Sequence, residues 1–240
     1  MKLQTILDQF RYGELAQLSI GGQDSGVFND KNYEVIVPHI NLGLMALFKR
    51  FPIKQRNLII EVQDDKSEYL LDKAFAVANT KSREPLRYIL DTSDDPFEND
   101  VIKVEEVYTE DEKAYRVNDG SRHGVTTPSY NILKLPKVVP PDMQSETLDV
   151  IYRASHPTIV VGLGYFDPER IDVDLPGTYL EALMFYVASR MHNPVGMLND
   201  FHAGNSYYAK YEAACAEIEG KGLYIEQTHE NERFCRAGWV

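Results

Sequence analysis

The residues best suited to metal chemistry are three side chains in the C-terminal part of the chain, His192, Asp200 and His202. Imidazole and carboxylate groups bind zinc, but the ligands of a zinc site usually recur at short, fixed spacings. Here the two histidines lie on opposite sides of Pro194, at a separation that matches no ligand pattern. We therefore interpret these side chains as helix-end or packing residues and predict no metal site.

Other sequence signals of catalysis are incomplete. Gly162 and Gly164 follow an apolar run, as in a dinucleotide-binding turn, but Asp167 stands where the third glycine belongs. The chain has no GxxxxGK[ST], HExxH or GxSxG sequence, and its two cysteines, Cys215 and Cys235, are too few for a disulfide framework. We predict no catalytic residues and no cofactor. A small hydrolase with scattered catalytic residues is the alternative.

The net charge restricts the partners of the protein. A formal charge of −12 and an isoelectric point near 5.0 oppose tight binding to nucleic acids and anionic membranes, because that binding depends on Lys and Arg. The stretch from Asp91 to Glu112 is the most acidic, and we predict a solvated loop and hairpin rim there. No run approaches the length of a membrane span, so we expect no membrane anchor.

Helical periodicity is clearest between residues 176 and 220. Apolar residues recur every three or four positions in PGTYLEALMFYVASRMHN, and Pro176 suits the first turn of a helix. After a break the pattern returns and continues to glycines that would stop it. These stretches predict an αα-hairpin whose second helix has about 25 residues and is about 38 Å long.

Two further helices are predicted near the N-terminus. Apolar residues in the range 3–18 have near-helical spacing, and a second apolar face runs from Asp30 towards Pro52. Pro38 and Gly43 are weak points inside this second helix.

From Arg56 onwards the hydrophobic period changes from helical to alternating, which is typical of strands. The first two are short strands on either side of a polar turn, and we expect the whole set to form an antiparallel sheet or a small barrel. The candidate strands are NLIIEVQ, SEYLL, VIKVEEVY, AYRVN, SYNILKLP and TLDVIYRA.

The sequence therefore predicts an α+β fold with two lobes. Residues 1–55 and 156–222 form a helical bundle lobe that includes the αα-hairpin, and residues 56–155 form a β-rich antiparallel insertion. Residues 223–240 follow as an extended tail. Two lobes suit a chain of 240 residues, which is close to the size at which a single core stops growing.

Three tyrosines on the second helix of the hairpin, Tyr207, Tyr208 and Tyr211, are candidate contact residues. Stacking on nucleic-acid bases would need interleaved positive charges, and only Lys210 is close in sequence. Tyrosine is enriched at protein interfaces, so we interpret the three side chains as packing residues at a helix–helix or subunit contact.

The tail of residues 223–240 spaces large apolar side chains among charges, and it holds the only tryptophan of the chain. Such side chains on a frayed terminus would be a liability, so we expect them to be anchored. The anchor is either the helical lobe of the same chain or another protein. The predicted partner-contact residues are Leu223, Ile225, Phe234, Trp239 and Val240.

Three stretches, LPGTYLEALMFYVASRMHN, FHAGNSYYAKYEAACAEIE and NERFCRAGWV, resemble the C-terminal region of head-to-tail adaptor (connector) proteins of short-tailed bacteriophages. The resemblance covers residues 175–240 best and is weaker over 101–153. Members of that family form a ring, usually described as twelve-fold, between the portal and the tail.

The resemblance implies a structural virion protein, made in the host cytoplasm, that docks on the portal protein and connects it to the tail tube or nozzle protein. DNA would pass along the ring without sequence-specific contacts, and an acidic inner wall would keep it from sticking. The tail residues would contact the portal, and the three tyrosines would join neighbouring subunits of a homo-oligomeric ring. A binding module that forms no ring is a further alternative.

Overall fold

The computed structural model describes residues 1–13, 15, 30–162, 166–192 and 198–223. These residues contain both α-helices and antiparallel sheets, which confirms the α+β class. The chain divides into a helical unit, residues 1–53 and 158–240, and a β unit, residues 54–157. The boundaries predicted from the sequence, after residues 55 and 155, lie close to these divisions.

The helical unit has four helices in the described ranges: α1 (Leu3–Tyr12), α2 (Asp30–Arg50), α3 (Leu180–Met191) and α4 (Leu198–Gly220). A 3-10 turn over Gly177–Tyr179 precedes α3, so the first helix of the predicted hairpin begins a few residues later than the sequence indicated.

Helix α1 is shorter than predicted. It ends at Tyr12, because Gly13 has dihedral angles outside the helical region, although Leu15 is still buried. The backbone N–H of Leu3 donates to the carbonyl of Ile171 at 2.9 Å, which fixes the start of α1 against the segment before α3.

Helix α2 continues through Pro38, so the expected weak point does not break it. Pro38 lies on the exposed side, where water can reach the Glu34 carbonyl that the missing N–H leaves without a helical partner. Buried apolar residues on both sides of the proline, including Ile36 and Ile40, hold the helix in place.

The β unit contains two antiparallel sheets with strand orders β3-β1-β8-β4-β5 and β2-β7-β6, and both contribute to one apolar core. Alternate residues of β8 are buried, as the alternating sequence predicts. The strands are β1 (Gln55–Glu61), β2 (Glu68–Leu70), β3 (Ile89–Leu90), β4 (Val101–Thr109), β5 (Ala114–Tyr115), β6 (Thr126–Ser129), β7 (Ile132–Lys134) and β8 (Thr147–Ala154).

The first two strands flank a polar turn, as the sequence predicts, but they do not pair with each other. Strand β1 pairs with β3 and β8, whereas β2 pairs with β7 in the other sheet. The buried residue of β2, Tyr69, shows the reason: its hydroxyl accepts from Gln63 N and donates to Lys66 O, which holds the connection in a shape that passes between the sheets. The predicted strand SYNILKLP is also two strands, because Tyr130 and Asn131 form a turn between β6 and β7.

Candidate interaction surfaces

The three candidate tyrosines of α4 lie in different environments. Tyr211 is only 4% exposed, and its ring lies 5.2 Å from that of Tyr186 on α3. Burial raises the pKa of its hydroxyl. Tyr211 is therefore a packing residue inside the helical unit, and its side chain offers no surface to a neighbouring subunit.

The other two tyrosines are more accessible. Tyr207 is half-buried between the His192 ring at 5.1 Å and the Lys210 ammonium at 4.9 Å from its ring centre. Tyr208 is 49% exposed, and its hydrogen bond with Glu212 raises the pKa of the phenol. Tyr208 thus presents the largest aromatic surface of the three.

An arginine on α2 fixes the position of the last turns of α4. The Arg50 guanidinium donates to Glu212 at 2.7 Å and to Glu219 at 2.8 Å. The hydrogen bond with Glu219 raises the pKa of Arg50 above its ordinary value. Cys215 lies between the two glutamates in the sequence and is fully buried, which raises the pKa of its thiol and keeps it protonated.

The end of α4 is a glycine-dependent stop. Gly222 has a φ of +60°, Leu223 N donates to Ile218 O and Gly222 N donates to Glu219 O, which together form a Schellman motif. Leu223, the first predicted partner-contact residue, is half-exposed directly after this stop. The other four partner-contact residues lie outside the part of the chain that the structure describes: Ile225, Phe234, Trp239 and Val240.

Helix α2 carries an exposed apolar stripe in addition to its buried apolar side. Val35, Leu42 and Met45 are exposed, and their spacing of seven and three places them with exposed Pro38 on one side of the helix. The spacing of these apolar residues is visible in the sequence. Apolar residues on the other side of α2 mask the stripe, because a helix that is apolar nearly all round has no distinct polar face.

The acidic stretch from Asp91 to Glu112 is not only a solvated rim, as predicted. The Asp100 side chain is 13% exposed and binds Arg56, and it also accepts from the Tyr152 hydroxyl at 2.9 Å. Burial raises the pKa of that hydroxyl, so it stays a donor. Glu105 similarly binds Arg153 at 2.7 Å. These pairs are not visible in the local sequence, because the arginines lie about 45 positions away.

The β unit contains a half-open groove of about 790 Å³. Four segments enclose it: residues 62–67 between β1 and β2, residues 110–111 after β4, residues 135–137 with 139 after β7, and residues 143–146 before β8. Its floor is apolar, and is formed by Val62, Tyr115, Leu135, Val139, Met143 and Leu148. Its rim is acidic, and is formed by Asp64, Asp65, Glu110, Asp111 and Glu146.

Within the described ranges, no group of three or more His, Cys, Asp or Glu side chains is arranged to hold a metal ion, and every helix is too short or too polar to span a bilayer. Among the carboxyl groups of the described residues, burial raises the pKa of one, that of Asp149. Asp149 lies on β8 between Ile59 and Tyr108 and lines neither the groove nor the smaller cavity beside Arg56.

Comparison of the chain with known protein families and with curated proteins finds no match to either.

Proposed function

We propose that this protein is a structural virion protein, a head-to-tail adaptor of a short-tailed bacteriophage. It docks as a ring, twelve-fold in the family it resembles, on the portal protein and connects the portal to the tail tube or nozzle protein. The single observation that carries this proposal is the sequence resemblance over residues 175–240.

The helical unit has features that suit such a role. Residues 180–220 form the α3–α4 hairpin, and α4 has 23 residues, about 34 Å at 1.5 Å per residue. A helix of this length is long for a small domain and is typical of a bundle or an assembly strut.

A ring of identical copies needs two different contact surfaces on each copy, because every subunit meets its two neighbours with opposite sides. The helical unit offers two accessible surfaces with contact-prone residues. One is the apolar stripe of α2, which includes Leu42 and Met45, and the other is the side of α4 that carries Tyr208. Exposed apolar and aromatic side chains of this kind are enriched at protein interfaces.

The charge of the protein suits a channel for DNA. A net charge of −12 repels phosphates, so the inner wall of the ring guides DNA without holding it. As an adaptor, the protein is made in the host cytoplasm and incorporated into the virion neck.

Native mass spectrometry of the purified protein, alone and with the portal protein of a short-tailed phage, tests the proposal. We expect a complex in which several copies of this chain join one portal ring, with assembly strongest when the portal is present. A single bound copy, or no complex with any portal, would instead favour a binding module that forms no ring.

A further inference from the structure

The groove of the β unit has an apolar floor that the core of the unit does not fully cover. Leu135 and Leu148 are buried, whereas Val62, Val139 and Met143 are only partly buried. The partly exposed side chains come from two different connections, β1 to β2 and β7 to β8, so the apolar surface is a product of the folded unit. An apolar floor of this kind gains free energy when another apolar group covers it.

The rim of the groove carries an excess of negative charge. Five carboxylates face two lysines there, and the ammonium of one, Lys66, lies 4.3 Å from the ring centre of Tyr88 and packs against aromatic rings. Among the residues that the structure describes, four of the carboxylates have no ion-pair partner: Asp64, Asp65, Glu110 and Glu146.

Two hydroxyl groups inside the groove, those of Tyr115 and Ser145, are already engaged by the protein itself. The Tyr115 hydroxyl donates to Met143 O at 2.8 Å. The Ser145 hydroxyl accepts from Glu110 N at 3.0 Å and donates to Thr147 O at 2.7 Å. A small-molecule site usually orients its ligand with a few convergent polar groups, and these two hydroxyls are not free to do so. An apolar centre inside a charged rim is instead the arrangement of a protein interface.

We infer that the groove is a docking site for an extended segment of a partner protein in which apolar side chains alternate with Lys or Arg. The apolar side chains cover the floor, and the cations meet the unpaired carboxylates of the rim. The groove volume of about 790 Å³ accommodates a short segment and excludes a folded domain. This site goes beyond the adaptor role and does not require ring formation.

Fluorescence anisotropy of a labelled peptide with alternating lysine and leucine, titrated with the full-length protein at low ionic strength, tests the inference. We expect saturable binding, and no binding of a peptide in which glutamate replaces lysine. The combined substitutions Asp64→Asn, Asp65→Asn and Glu110→Gln should raise the Kd about fivefold or more. The exposed acids Glu84, Asp94 and Glu98, which do not line the groove, provide the control, because Glu84→Gln, Asp94→Asn and Glu98→Gln remove the same total charge.

A second pair of variants tests the floor. Val139 lines the groove, whereas its exposed neighbour Val138 does not. Val139→Ser should weaken peptide binding severalfold and Val138→Ser should leave it unchanged, with the melting temperature of each variant measured to confirm folding.

Three results would overturn the inference. If the groove and control charge variants raise the Kd equally, the peptide is bound by non-specific electrostatic attraction. Equal binding of free lysine amide and of the peptide would assign the groove to small cations. If the anisotropy of the peptide does not saturate at about 1 mM protein, the groove does not bind such a segment with useful affinity.

Discussion

A single guanidinium connects two helices of the helical unit. Arg50, at the end of α2, donates to Glu212 and Glu219, which lie two turns apart on α4. An arginine that holds two carboxylates in a fixed geometry contributes more than an isolated surface ion pair, although the partial exposure of all three side chains limits the gain. Arg50 therefore positions the segment of α4 that leads to Leu223.

Replacement of this arginine should loosen the end of α4. We expect Arg50→Gln to lower the melting temperature by about 2–4 °C, because it leaves two neighbouring glutamates without their cation. Arg83→Gln is the matched control, since Arg83 is exposed and has no ion-pair partner among the described residues. Thermal unfolding followed by circular dichroism measures both, and similar shifts for the two variants would contradict the role of Arg50.

The ion pair between Arg50 and Glu219 predicts that the stability of the protein depends on pH. The hydrogen bond from Arg50 lowers the pKa of Glu219 below its ordinary value. A carboxyl group whose pKa is lower in the folded state stabilises the fold above its unfolded pKa, about 4.3, and this contribution is lost as the pH falls through the folded pKa. The difference in melting temperature between wild type and Arg50→Gln should thus be largest at pH 7 and should decrease below about pH 4.

At the scale of elements, the close approach of α2 and α3 depends on Gly43. A Cβ atom at this position would lie 2.6 Å from Leu183 Cδ1 and 3.2 Å from Tyr186 Cδ1. The glycine costs helix propensity, yet it lets the two helices pack without a gap. Gly43 is therefore a packing residue, although the sequence alone marks it as a weak point.

Enlargement of Gly43 should separate the two helices. Gly43→Ala should destabilise the protein by about 1–3 kcal/mol, the usual cost of overpacking, although alanine is the better helix former. Gly220→Ala provides the control, because a Cβ atom there would meet nothing within 4 Å. Chemical denaturation measures both variants. A neutral or stabilising Gly43→Ala would mean that the Leu183 side chain moves aside at little cost.

The two sides of α4 should respond differently to mutation. Tyr211→Ala removes a buried ring and should cost about 3–5 kcal/mol of stability. Tyr208→Ala removes an exposed ring and should leave the free energy of unfolding nearly unchanged. If the exposed side of α4 joins neighbouring copies, Tyr208→Ala should instead reduce the assembly seen by native mass spectrometry. Normal assembly of a folded Tyr208→Ala protein would remove this residue from the proposed contact.

At the scale of the whole molecule, the chain leaves the helical unit near Ile53 and returns to it near Thr158. Both ends of the β unit lie side by side, since Ala154 N donates to Lys54 O at 2.9 Å. An insertion whose ends meet can be accommodated between two helical segments without disturbing their own core. The surfaces proposed to form the ring therefore lie on the helical unit, and the proposed docking groove lies on the β unit.

Removal of residues 229–240 tests whether the C-terminal tail docks on the portal. The proposal requires a truncated protein that keeps nearly unchanged stability but no longer joins the portal, because Phe234 and Trp239 are its aromatic anchors. Thermal unfolding and native mass spectrometry with the portal report the two properties separately. Unfolding of the truncated chain would indicate that the tail anchors to its own helical lobe, and intact portal assembly would show that the tail is not the docking element.

The α+β class follows from local sequence, because most helices and strands can be predicted from it. Burial of one side of a helix or strand repeats along the chain with the period of that element, so local sequence records it. This holds for α3 and α4, whose apolar spacing and terminal glycine are visible in the sequence, and for β8, whose alternation matches its burial. Pro38 is an exception, because its effect on α2 depends on packing around the proline that local sequence does not encode.

Strand neighbours and charge pairs depend instead on how the whole chain folds. Residues adjacent in sequence need not pair, because a short connection can cross between sheets, as the one from β1 to β2 does. The partners of Asp100 and Glu105 are arginines distant in the sequence, and the groove joins segments from Val62 to Leu148. Such features depend on long-range proximity, which no local period encodes, so they emerge only when the chain is folded.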